Sequence, residues 1–105
     1  LKTIKFCGIG GVSTAAKVAH ALGLEVNLAS KAGESSLGTS ALIHLAYTVP
    51  NINWGVTPSC QYLQEDIVEQ KIVIENGSVI CPTGPGLGVD INEKMVNKYR
   101  IEHLS

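Results

Sequence analysis

Lys5 opens the segment Lys5-Phe6-Cys7-Gly8-Ile9-Gly10-Gly11. An amine at the carboxyl end of a strand, ahead of a glycine-rich turn, sits where α/β folds collect their chemistry, because the loops leaving the strand ends line the site. Lys5 is therefore the first candidate for a working residue. The bland alternative is a lysine whose stem snorkels along the end of a strand. The other reactive side chains are less promising. His20 and His44 fall inside expected helices and His103 near the terminus, with no metal-ligand spacing between them. Cys7, Cys60 and Cys81 read as small packing residues. Gly84-Pro85-Gly86-Leu87-Gly88 is rich in glycine but has neither the lysine nor the strand-to-helix setting of a phosphate loop.

The elements that would position Lys5 follow from periodicity. Leu1 to Cys7 alternates and is rich in strand formers, and the glycines after it allow a sharp turn. Ser13 or Thr14 is expected to cap a helix that continues from Ala15 to Leu22 and stops at Gly23. Leu24 to Ala29 reads as a second strand, parallel to the first, with Asn27 and Ser30 near its end. A polar turn leads to a helix from Leu37 to Tyr47, capped by Ser35 or Ser36, and Asn51 to Pro58 reads as a surface loop around Trp54. The grammar then changes. Lys71 to Glu75, Asn76-Gly77 and Ser78 to Cys81 spell a hairpin on a type I′ turn. Pro82 to Gly88 is a loop, and Asp90-Ile91-Asn92-Glu93 places a capping residue before a last helix that ends near Tyr99.

Bulk properties narrow the classes. The 105 residues make one modest α/β domain, and a net charge of -1 leaves no basic footprint for nucleic acid or a membrane surface. No run approaches a membrane span. Three widely spaced cysteines suit free thiols in a reducing compartment, so a cytoplasmic location is expected. The chain enters its first strand at Leu1, without a polar lead-in, and reads as cut from something longer. At most three parallel strands with two helices cannot cover both sheet faces, which again points to absent neighbours.

Three segments in series resemble one family. Lys5 with Gly10-Gly11 resembles the sixth-strand motif of the muconate lactonizing enzyme subgroup of the enolase superfamily. Glu34-Ser35-Ser36-Leu37-Gly38-Thr39 is similar to its eighth-strand segment, and Pro82-Thr83-Gly84-Pro85-Gly86-Leu87-Gly88-Val89 to its stretch near the terminus. The resemblance implies the C-terminal portion of a (β/α)7β barrel over residues 1–53. Residues 54–105 would then return to the capping domain with the hairpin and short helix, leaving an incomplete barrel. It implies an isomerase or lyase of the muconate cycloisomerase and mandelate racemase type, which abstracts the α-proton of a small carboxylate substrate through an enediolate. Lys5 would be the catalytic acid/base and Glu34 a second catalytic residue facing it. Mg2+, or Mn2+, would be held by carboxylates on strands this chain lacks, so the chain alone is expected to bind no metal and to be inactive. Its expected partners are the remaining N-terminal portion or another chain, and copies of itself in a homo-oligomer. The competing reading is a noncatalytic truncated domain that pairs with itself or another chain to cover its sheet edges.

Overall fold

Ala15-Ala16 and the apolar residues around them make a good helix, yet α1 (Ile9–Ala21) begins well before Ser13. In the computed structural model, which describes residues 1–102, the chain reverses at Cys7 (φ 57°) and Gly8 (φ 99°), so helical geometry starts at once with Gly8 as N-cap. Ser13 and Thr14 are therefore interior residues, and the Thr14 hydroxyl donates back to the Gly10 carbonyl at 3.1 Å. The helix ends at Leu22, followed by Gly23 at φ 70°.

The expected first strand is the main correction to the sequence reading. Only Leu1 keeps strand pairing: its nitrogen donates to the Asn27 carbonyl at 2.5 Å, and Ala29 N–H donates to the Leu1 carbonyl at 2.9 Å. From Thr3 to Cys7 the backbone turns on itself instead, with Lys5 N–H donating to Lys2 O at 3.0 Å and Gly8 N–H to Thr3 O at 2.8 Å. A strand with a neighbour on one side only leaves half its polar groups unpaired, and local turns satisfy them.

The second strand is shorter than its alternation suggests, and its ladder runs to a segment that reads as a loop. β1 (Leu28–Ala29) pairs in parallel with β2 (Val56–Thr57), Leu28 opposite Val56. The Asn27 side-chain amide locks this ladder by donating to the carbonyls of Trp54 and Gly55 at 2.9 and 2.8 Å. Trp54 and Asn53 in turn donate to the Glu25 carboxylate, each at 2.8 Å. These long-range side-chain bonds, invisible to periodicity, turn the loop into a strand.

Between the two strands, α2 (Ser36–Ala46) begins on Ser35, whose hydroxyl accepts from Gly38 N–H at 3.3 Å. Leu42 and Leu45 of α2 pack with Val12 and Ala16 of α1 and with Val26, Leu28 and Val49 to make the main core. A second, smaller core joins Ile43, from the other side of α2, to Cys60 and Ile72. Ile74–Glu75 (β3) pairs antiparallel with Ser78–Val79 (β4) around Asn76 (φ 50°) and Gly77 (φ 71°), and both residues carry the positive φ of a type I′ turn. α3 (Glu93–Tyr99) is capped by Asn92, whose side chain accepts from Met95 N–H at 3.0 Å. Glu65 clasps α3 from the preceding loop. The Lys98 ammonium at 2.6 Å and the Tyr99 hydroxyl hold its carboxyl below the usual carboxylate range. His103 lies outside the described residues. Among those described, no helix is long and apolar enough to cross a membrane.

Candidate active site

Lys5 is exposed, in the turn between Leu1 and α1 and not at a strand end. Glu34 is half-buried in the turn before α2, where its N–H donates to Lys31 O at 3.0 Å, and so also not on a strand. No ion pair or hydrogen bond joins the two side chains among the described residues. Each stands beside the first turn of a helix. Behind Lys5, the carbonyl of Phe6 is pressed so closely on Gly11 that a Cβ there would lie 2.8 Å from the Phe6 carbonyl carbon. Gly11 therefore fixes how the Lys5 turn sits on α1, while Gly10 has open space around its Cβ position.

Glu34 uses a glycine in the same way. Its side chain folds over the first turn of α2, and a Cβ on Gly38 would meet the carboxyl carbon at 2.6 Å. The small residue of Glu34-Ser35-Ser36-Leu37-Gly38 thus makes room for the acid, and the helix N-terminus favours its charge. Its carboxylate takes no hydrogen bond among the described residues. Gly38→Ala should displace the Glu34 carboxyl while raising stability by about 1 kcal/mol through helix propensity. A crystal structure of the variant and its urea midpoint check both halves.

Other expectations resolve into packing. Ser30 is buried with its hydroxyl unpartnered, and its N–H bonds Thr57 O at 2.9 Å. Asn27 is spent on the β1–β2 ladder. Cys60 is buried as read, Cys81 is half-buried, but Cys7 is exposed because the strand that would have packed it is a turn. His20 is exposed, and His44 is held by the Leu87 carbonyl at 3.1 Å.

Asp66 escaped the sequence reading. It is buried, and its carboxylate accepts from Ser36 N–H at 2.9 and 3.2 Å and from Ile67 N–H at 2.7 Å. Ser36 Oγ accepts in turn from Ile72 N–H at 3.2 Å. The start of α2, just after Glu34, is thereby tied to the distant segment 66–72. The one signal in the sequence was an acid set directly against the apolar pair Ile67-Val68. Among the described residues no group of three or more His, Cys, Asp or Glu side chains converges to hold a metal ion.

Residues 1–95 match the family model described as enolase C-terminal domain-like. The chain belongs to that family. This enolase-family chain is 33% identical over 100 residues to muconate cycloisomerase 1 of Rhodococcus opacus, covering 94% of this chain and 26% of that protein. It is 31% identical over 101 residues to a chloromuconate cycloisomerase of Cupriavidus necator, covering 92% of this chain and 27% of the relative. Among solved structures, the muconate lactonizing enzyme of Klebsiella pneumoniae superposes with a TM-score of 0.81 at 29% identity, covering 93% of this chain and 27% of that one. The chain therefore spans about a quarter of the length of the relatives it matches. Lys5, Glu34, Gly11 and Gly38 all fall within the matched residues.

Proposed function

We propose that this chain is the C-terminal part of a cycloisomerase-type enzyme that removes the proton α to a carboxylate of a small substrate, passing through an enediolate. The observation that carries the reading is its similarity, over nearly all its length, to muconate and chloromuconate cycloisomerases. Lys5 is the acid/base: its amine takes the α-proton and returns it at the end of the reaction. Glu34, held beside the start of α2, faces the substrate from a second turn. Residues 1–53 belong to the barrel and the hairpin and α3 to the capping domain.

The residues described here do not form the Mg2+ or Mn2+ site that the resemblance implies. The ligands belong to the remainder of the enzyme. What supports a missing remainder is the number of large apolar side chains left exposed on α1 and the turn before it. Ile4, Phe6, Ile9, Val18 and Leu22 lie 39–68% exposed along α1 and the turn before it.

In the complete enzyme, Lys5→Ala should slow exchange of the substrate α-proton with deuterated solvent at least about a hundredfold, the scale of a lost general base, while metal binding is unchanged. Undiminished exchange would remove Lys5 from the reaction. If the chain purified from its natural source is a folded 105-residue homo-oligomer, the noncatalytic reading takes over.

A further inference from the structure

The loop that closes over α2 brings a thiol and an imidazole together. Cys81 Sγ lies 3.7 Å from His44 Nδ1. The other ring nitrogen, Nε2, lies 3.1 Å from the Leu87 carbonyl oxygen. A carbonyl only accepts, so Nε2 carries the proton and, in the neutral ring, Nδ1 turns its lone pair to the thiol, which has the Pro82 carbonyl at 3.6 Å as its other acceptor. The carbonyl is itself fixed. Ser40 Oγ, one turn earlier on α2, donates to it. The loop is pinned besides by Gly88 (φ 71°), where a Cβ would meet the Pro82 carbonyl carbon at 2.9 Å. Cys81 also borders a cavity of about 360 Å³, with Lys71, Thr83 and Asp90 beside Ile72, Val73 and Ile80 in its lining. A nucleophile, a base, a group that orients the base, and room for a reactant are the parts that thiol chemistry requires.

We propose that Cys81 and His44 form a thiol-exchange site that takes small polar disulfides from this cavity. His44 Nδ1 accepts the thiol proton, and the Cys81 thiolate attacks one sulfur of the incoming R–S–S–R. The S–S bond breaks as the new one forms, and the departing RS⁻ recovers the proton from the imidazolium. The products are Cys81–S–S–R and one RSH, the disulfide supplying the oxidising equivalents. The mixed lining, Lys71, Thr83 and Asp90 beside Ile72, Val73 and Ile80, suits a short R group with an apolar stem and a polar end, whereas Cys60, buried in the smaller core, is shielded.

The test treats the intact protein with 2-hydroxyethyl disulfide, quenches with acid at intervals and maps adducts by mass spectrometry. Cys81 should be modified at least about tenfold faster than Cys7, although Cys7 is exposed, and Cys60 should stay a thiol. His44→Gln should slow Cys81 about tenfold and leave Cys7 unchanged. Modification of Cys7 as fast as Cys81, or a Cys81 rate indifferent to His44→Gln, overturns the proposal. If the variant loosens the fold, Cys60 will react, and the ratio of Cys81 to Cys7 in the unaltered protein then decides alone.

Discussion

Asp66→Ala is expected to destabilise the protein by about 3 kcal/mol, because it strips the partner from two amides at once. Ser36 N–H at the first turn of α2 and Ile67 N–H both donate to this buried carboxylate. A buried N–H left without an acceptor costs about 1–3 kcal/mol. The carboxylate also compensates the positive end of α2, which adds about 0.5 kcal/mol or more in a site shielded from water. Asp66→Asn keeps one acceptor oxygen and should cost about half as much. Urea unfolding followed by circular dichroism measures both, and the variant's slope against urea shows whether the 66–72 segment has come away from α2. An alanine variant within about 0.5 kcal/mol of the parent would mean that water replaces the carboxylate at no penalty.

Two adjacent glycines give the second large effect, and its sign changes between them. Gly10 and Gly11 both lie inside α1, where alanine is better than glycine by about 1 kcal/mol. At Gly10 nothing stands within 4 Å of an added Cβ, so Gly10→Ala should gain most of that amount. At Gly11 the Cβ would overlap the Phe6 carbonyl oxygen, part of the backbone, which cannot swing aside as a side chain does. Forcing the turn off the helix should cost about 3 kcal/mol, leaving Gly11→Ala a net loss of about 2 kcal/mol. Paired thermal or urea midpoints of the two variants check this. Equal shifts in the same direction would show that the Lys5 turn does not bear on α1.

The elements that were legible in the sequence are those decided within a few residues. The start of α2 on Ser35, the stop of α1 before Gly23, the Asn76-Gly77 turn and the end of α3 near Tyr99 each depend on a side chain or φ preference acting locally. Where the reading failed, the cause was a distant partner. Leu1 to Cys7 alternates as a strand should, but with β1 on one side only its backbone bonds to itself. Val56 and Thr57 form a strand because Asn27, far away in sequence, fastens the segment to β1.

The candidate site divides the same way. Lys5, Glu34 and the glycines near them were visible as motifs, since each motif is continuous in sequence. Residue types and short spacings thus determined the family likeness, the helix limits and the hairpin turn. Tertiary structure alone decided that Asp66 would anchor α2, that Glu34 would lie over Gly38, and that Cys81 would meet His44. The physical reason is that a hydrogen bond or a close contact depends on separation in space, and folding brings together groups whose separation along the chain carries no sign of the meeting.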